Sequence, residues 1–316
     1  MRRLLFSPIL FLASCAGTAQ QQTSPDPQDG SRFDVYVLGR AQDGGLPHLG
    51  CEKPCCAQAR RNGRRETPAC LGIHDRQTDR LVLIEVTPAV EEQIAMLHRL
   101  SGVTDRGRAP IDAIMITHAH IGHYAGLIQF GHEVASTKNL PTHISGRMAE
   151  FLSENGPWSQ LIEFDQLDVI TFTPSGEAFE PIEGLSVKAI AVPHREEFSD
   201  TVAFRIEGPV GTVLFCPDVD RWTAHDGLLQ ELIEGVDVAY IDGTFYDGSE
   251  LPSRDVSEIP HPTMVDTMNR VEKDSATSIR FIHLNHTNPA FNDAELEAEV
   301  EARGFGIAQP GQRVGI

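Results

Sequence analysis

The chain has 316 residues, 41% hydrophobic and 22% charged, a composition that suits an ordinary globular protein of one large domain or two small ones. Its formal net charge is −19, from 26 Lys and Arg against 45 Asp and Glu. A surface this acidic repels phosphate backbones and argues against a long nucleic acid as partner, while a small anionic substrate remains compatible where a bound cation dominates the local field.

The first residues read as a targeting segment. Arg2 and Arg3 precede an apolar stretch at 4–13 that is too short to span a bilayer and right for a signal peptide. Leu12-Ala13-Ser14-Cys15 resembles a bacterial lipobox, in which Cys15 is lipidated and becomes the mature N-terminus. Ordinary cleavage near Ala16, with Cys15 incidental, is the alternative. By resemblance to Gram-negative lipoproteins, Ala16 after the cysteine implies an outer-membrane anchor facing the periplasm. Residues 15–31, rich in Gln, Ser, Pro, Asp and Gly, read as a flexible tether, and 32–316 as the folded domain.

Alternation and β-formers predict a first strand at 33–38. A glycine-rich loop follows at 39–50; it lacks the Walker lysine pattern and is not a P-loop. Cys51, Cys55 and Cys56 come next, then a short basic helix to about residue 62. Strands are expected at 70–73 and 81–86. Thr87-Pro88 then starts a helix, with Thr87 as N-cap and Ala95, Met96 and Leu100 on its apolar side.

The strand expected at 111–116 feeds Ile116-Thr117-His118-Ala119-His120-Ile121-Gly122-His123-Tyr124-Ala125-Gly126. Three histidines fall within six residues on a strand-to-helix turn. Neutral imidazole ligates zinc and similar divalent metals, and nitrogens converging from one turn hold an ion with little ordering cost. Further strands are expected at 167–172, 185–192, 201–206, 212–215, 236–241 and 278–284. Helices are expected near 146–153, 227–233, 263–271 and 294–303. No repeat and no transmembrane span is evident, and the pattern suggests a sandwich of sheets covered by helices. His194, Asp218 and His283 share one signature: a metal-capable side chain at the carboxyl end of a β run.

The ordered series, a histidine cluster followed by His, Asp and His, resembles the metallo-β-lactamase superfamily, with its α/β, αββα sandwich and its H-x-H-x-D-H motif. The resemblance covers nearly all of 33–316. It implies that His118, His120 and His194 hold one metal, that His123 and His283 hold a second, and that Asp218 bridges them. The motif aspartate is Gly122 here, which has no side chain to coordinate anything. A single ion or an unequal pair is therefore as compatible with the sequence as a full dinuclear centre. Asp43, Asp220 and Asp242 are candidates to fill in from nearby loops.

The cysteines narrow the resemblance. Gly50-Cys51-Glu52-Lys53-Pro54-Cys55-Cys56 after Gly44-Gly45-Leu46-Pro47 is similar to the N-terminal zinc element of two families: protein B of pyrroloquinoline-quinone synthesis, and the cyclic phosphodiesterase of the carbon–phosphorus lyase pathway. It implies a structural zinc on Cys51, Cys55, Cys56 and His286. Three thiolates and an imidazole make a closed tetrahedral set. A disulfide is the alternative in an oxidising compartment. Cys70 and Cys216 read as small buried hydrophobes. Ile241-Asp242-Gly243-Thr244-Phe245 and His283-Leu284-Asn285-His286-Thr287-Asn288-Pro289 resemble the protein B pattern most. His261 falls where the phosphodiesterase carries a histidine proposed as proton donor; by its context alone it is a loop histidine facing solvent.

These residues lead to a metal-dependent hydrolase of a small phosphodiester or related ester, with Zn2+ or Mn2+ making water nucleophilic, Asp218 orienting it and His261 protonating the leaving oxygen. An iron-dependent oxidation like that of protein B is the alternative, since three histidines and an aspartate also suit Fe(II). A non-catalytic metal or ligand binder of the cell envelope is the third reading, which Gly122 favours. The expected partners are a small-molecule substrate and a lipid anchor, with a homodimer left open.

Overall fold

The computed structural model describes residues 30–251, 260–271, 275–291 and 293–316. The signal segment, Cys15 and most of the tether lie outside the described residues. Apolar alternation of period two builds the sheets. In β1 (Phe33–Gly39), Phe33, Val35 and Val37 face one layer while Tyr36 and Leu38 face the other. The same division recurs in β2 (Cys70–Asp75), β3 (Arg80–Ile84) and β4 (Ala113–Met115). With β5 (Leu140–Ser145), β6 (Leu167–Phe172) and β13 (Arg313–Gly315) they form one sheet, ordered β13-β1-β2-β3-β4-β5-β6. The second sheet holds β7 (Ser186–Ala191), β8 (Val202–Glu207), β9 (Thr212–Cys216), β10 (Val238–Asp242), β11 (Ser278–Ile282) and β12 (Gly306–Ile307), ordered β12-β11-β10-β9-β8-β7.

Each sheet opens with an antiparallel meander and continues with parallel strands: β1-β2-β3 then β4 to β6, and β7-β8-β9 then β10 to β12. The two halves therefore repeat one topology that the sequence does not show as a repeat. Their inner faces share a core that includes Val35, Ile73 and Met115 from one sheet and Phe204, Phe215 and Tyr240 from the other. Outside the first sheet pack α2 (Val90–Ser101), α3 (Ile121–Tyr124), α4 (Gly146–Glu154) and α5 (Trp158–Glu163). Outside the second packs α6 (Leu228–Ile233), while α1 (Pro54–Arg61), α7 (Met264–Arg270) and α8 (Ala294–Ala302) enclose a third apolar cluster. This is the αββα sandwich expected from the sequence.

Three local expectations are corrected. Thr87 does not cap α2: the helix begins at Val90, and Thr87 instead accepts from Ala89 N at 3.1 Å and donates to Gln93 Oε1 at 2.7 Å. The turn at Pro88 thus precedes the helix, and the buried face is Val90, Gln93 and Leu97, with Met96 and Leu100 only partly covered. The helix expected from Tyr124 is one short turn, α3, followed by a 3-10 helix at Ala125–Phe130. The strand feeding the histidines is only three residues, Ala113–Met115; just before it Asp112 bonds Leu81 twice, its N donating to Leu81 O at 2.7 Å and its Oδ2 accepting from Leu81 N at 2.8 Å.

One buried histidine supplies a pH test. His143, on β5, stacks on Phe179 with ring centroids 4.9 Å apart. Burial pushes its pKa down to about 4. A histidine depressed on folding binds its proton more readily when unfolded, so stability holds above the ordinary histidine pKa of about 6.5 and is lost as pH falls toward 4. His143→Gln is expected to flatten the acid limb of a denaturation curve measured between those values. An unchanged limb would show that another group governs it.

Candidate metal centre

The parallel strands of both sheets end on one edge, where ligand sites of open α/β sheets form. Glu85 follows β3, His118 follows β4, Asp218 follows β9, Asp242 ends β10 and His283 follows β11. The histidine turn is fixed by backbone bonds to the end of β3: Val86 N donates to His123 O at 2.7 Å and Gly126 N to Val86 O at 2.9 Å. A Cβ at Gly126 would stand 2.1 Å from Thr87 O, so this contact demands glycine.

The structure brings all six expected ligand residues together. Donor atoms of His118, His120, His194 and Asp218 lie within 4.8 Å of one another. Asp43, His123 and His283 form a second such set, and Asp218, His261 and His283 a third. Asp218 lies between them. Its Oδ1 is 3.5 Å from His194 Nε2, while its Oδ2 is 3.2 Å from His123 Nε2 and 3.3 Å from His283 Nε2. One buried carboxylate thus faces imidazoles of both sets.

Three of the opposite ring nitrogens are hydrogen-bonded, and that of His123 faces a carboxylate without a hydrogen bond. His118 Nδ1 meets Thr117 Oγ1 at 2.9 Å, His194 Nδ1 meets Asp220 Oδ1 at 3.2 Å and His283 Nδ1 meets Thr244 Oγ1 at 3.0 Å. His123 Nδ1 faces Glu85 Oε2 at 3.4 Å. His120 is turned the other way: Nδ1 points at His118 Nε2, 2.9 Å away, and Nε2 is held by Glu197 at 3.1 Å. Such outer partners fix the tautomer and aim of a ligating imidazole. The inward atoms His123 Nε2, His194 Nε2, His283 Nε2, Asp43 Oδ1 and Asp218 Oδ2 are all buried without a hydrogen-bond partner. Five orphaned polar atoms aimed at one space are costly unless a cation joins them, so the donor set fits a divalent metal.

Electrostatics agree. Burial keeps His118, His120 and His194 below the ordinary histidine pKa, in the neutral form that ligates. Burial alone would raise Asp218, but His283, His123 and His118 outweigh it and hold the carboxylate well below its usual range. Burial likewise opposes charge on His123, while Asp218 and Glu85 push its pKa up. Glu85 and His283 both take positive φ, 75° and 63°, which is unusual for these residue types. Both are buried and face the cluster, where strained backbone is commonly kept for function.

The Beta-lactamase superfamily domain model matches residues 80–302, more than half of the chain. This chain belongs to the beta-lactamase superfamily. Coenzyme PQQ synthesis protein B of Methylobacterium nodulans is 25% identical over 306 residues, spanning 88% of this chain and 98% of that protein. The Methylobacterium radiotolerans protein is 27% identical over 310 residues with the same coverage. Among solved structures, Zn(2+)-bound PqqB from Methylobacterium extorquens superposes with a TM-score of 0.75 at 23% identity, covering 90% of this chain and 100% of that one. A diphosphatase from the PhnP family gives a TM-score of 0.63 at 21% identity, covering 90% and 97%. Identities this low speak for the fold, and the chemistry of this superfamily member has to come from its own residues.

Of the three carboxylates that could fill in for the motif position, two are otherwise engaged: Asp220 holds His194, and Asp242 Oδ2 accepts from His261 Nδ1 at 2.7 Å. Asp43 is the one in the second set. Its Oδ1 lies 3.4 Å from His123 Nε2 and 3.8 Å from His283 Nε2. Burial opposes its charge, but these two imidazoles hold it well below the carboxylate range. His261 is 7% exposed and no surface histidine. Burial opposes its proton, Asp242 more than compensates, and its pKa rises to about 9. Sequence reasoning missed Glu85 altogether, since a carboxylate at the end of an apolar strand gives no sign of being buried under a histidine.

A separate cluster lies at α1. Cys51, Cys56 and His286 gather with donor atoms within 4.8 Å of one another. Cys55 Sγ is 3.9 Å from Cys56 Sγ but outside that mutually close set. All three cysteines are free thiols, as are Cys70 and Cys216, both buried. Burial raises Cys56 to about 11 and lowers His286 to about 4. His48 N donates to Cys56 Sγ at 3.2 Å, and the His48 ring stacks on His286 at 4.5 Å.

Proposed function

We propose that this protein is a metal-dependent hydrolase of a small phosphodiester or related ester. One observation carries the reading: Asp218 stands between two sets of inward-facing imidazoles and carboxylates, with His261 beside it. A divalent ion held there would supply Lewis acidity to polarise the ester and lower the pKa of water near neutrality. His118, His120 and His194 with Asp218 would form one side of the holder, His123, His283 and Asp43 the other. Asp218 would orient the attacking water by accepting a hydrogen bond from its O–H. His261 has Nδ1 committed to Asp242, so its Nε2 proton is the one to give to the leaving oxygen. The buried walls exclude bulk water and sharpen each of these interactions.

Purified protein supplied with Zn2+ or Mn2+ is expected to cleave bis(p-nitrophenyl) phosphate, and His118→Ala or His194→Ala to abolish it. Full turnover in either variant would refute the assignment. His261→Gln should slow esters with alkoxide leaving groups by ~100-fold or more, the scale of general acid catalysis, and p-nitrophenyl esters far less because nitrophenolate leaves unaided. Equal slowing of both would remove His261 from the role of acid.

The similarity to PQQ synthesis protein B along 88% of the chain favours a second reading, an iron-dependent oxidation. Anaerobic reconstitution with Fe(II), followed by oxygen uptake on a phenolic substrate without ester cleavage, would select it. We further assign Cys51, Cys56 and His286, with Cys55 adjoining, to one structural zinc. In this account the protein works in the bacterial cell envelope, tethered through Cys15, on a small-molecule substrate.

A further inference from the structure

We infer that the loop after β1 supplies, through Asp43, the metal-ligating carboxylate that the histidine turn lacks, and that Gly122 leaves the room this loop needs. The inference rests on the hydrolase centre proposed above.

Gly122 occupies the motif position of the missing aspartate. It is not among the glycines with positive φ, so its backbone would accept any residue. What forbids a side chain is space. A Cβ at Gly122 would stand 2.0 Å from Asp43 Oδ1, 2.7 Å from Asp43 Cγ and 2.6 Å from Asp43 Cα. No real Cβ tolerates such contacts, two of them with the carboxylate and one with backbone. The Asp43 carboxylate therefore lies where a side chain at 122 would begin, and it reaches the same two imidazoles, His123 and His283.

The loop is built to hold that position. Gly45 N donates to Gln42 O at 2.8 Å, closing a tight turn with Asp43 at its corner, and Gly45 takes φ 68°. Gln42 N donates to Leu284 O and Leu284 N to Arg40 O, both at 2.8 Å. Asn285 Nδ2 donates to Gln42 Oε1. Leu284 follows His283 directly, so one strand end anchors both the ligand histidine and the loop that carries Asp43. Much of the Asp43 side chain reaches solvent, yet Oδ1 is buried and has no hydrogen-bond partner. An exposed aspartate ordinarily turns both oxygens to water; this one gives an oxygen to the cluster.

The test is a manganese titration of the intact protein, read by electron paramagnetic resonance and by metal analysis after dialysis. Manganese prefers oxygen and nitrogen donors, which leaves the cysteine cluster out of the reading. Wild type should take up two ions. Asp43→Asn, which keeps the shape of the side chain, and Asp43→Ala should weaken one ion at least tenfold and leave the other. Gly122→Ala should reproduce that loss although it removes no donor. Two equally tight ions in Asp43→Ala, or wild-type affinity in Gly122→Ala, would overturn the inference while the hydrolase reading stood. A wild type in which neither manganese nor zinc binds at the histidines would remove both.

Discussion

Asp218→Asn is expected to abolish catalysis, lowering kcat/KM on an ester substrate by on the order of 1,000-fold or more, about 4 kcal/mol of transition-state stabilisation. The magnitude follows from position. Asp218 is 3% exposed and faces His194 with one oxygen and His123 and His283 with the other. Asparagine keeps the volume but removes the charge that both cation sites share. It also offers the buried imidazoles an amide nitrogen where they need an acceptor of positive charge. Bound manganese should fall for both sites together, unlike the single loss expected on changing Asp43. A variant that kept half of the wild-type rate would show that the carboxylate is structural.

Cys56→Ser is expected to produce the largest loss of stability among changes away from the cluster at Asp218. Cys56 is fully buried in α1, and its thiol meets Cys51 and the late histidine His286. Arg60 adds bonds to the carbonyls of His48 and Cys51, so the loop before α1 closes on the same point. A zinc there would join α1, this loop and the segment after β11 through one ion. Structural zinc carries folding free energy outright, ~10 kcal/mol or more in small zinc peptides. Losing even part of it, about 4 kcal/mol, should lower Tm by on the order of 10 °C in a chain of this size. Because proton and metal compete for thiols, the metal's contribution should fade as pH is lowered. A chelator-resistant Tm, identical in wild type and variant, would instead mark the cluster as thiol packing alone.

Much of this architecture is legible in the sequence because burial leaves a period. Alternation at 33–38 and continuous apolar runs at 81–86 and 212–215 mark strands whose two faces enter different cores, and β1, β3 and β9 follow them closely. What escapes is short or interrupted. β5 carries Pro141 and His143 between its apolar residues, α5 is six residues flanked by Gly156 and Pro157, and β12 and β13 are edge pieces of two and three residues. β5 is broken by its polar and proline positions, and the others are too short for a period to show. The histidine turn is legible because its donors are close in sequence. Asp43 is legible only as one of several acidic residues, since its role is decided by a loop anchored to Leu284, far along the chain. The carboxylates behind the ligands are harder still. Asp220 and Asp242 stand out as acidic residues near the site but not as partners of His194 and His261, and nothing in its neighbours announces that Glu85 lies against His123.

Crystals of the protein grown with manganese or zinc and measured at the absorption edge of that metal should show anomalous peaks bonded to His118, His120, His194 and Asp218, and to Asp43, His123, His283 and Asp218, at about 2.0–2.2 Å. Peaks confined to Cys51, Cys56 and His286, with none between the histidines, would contradict that placement.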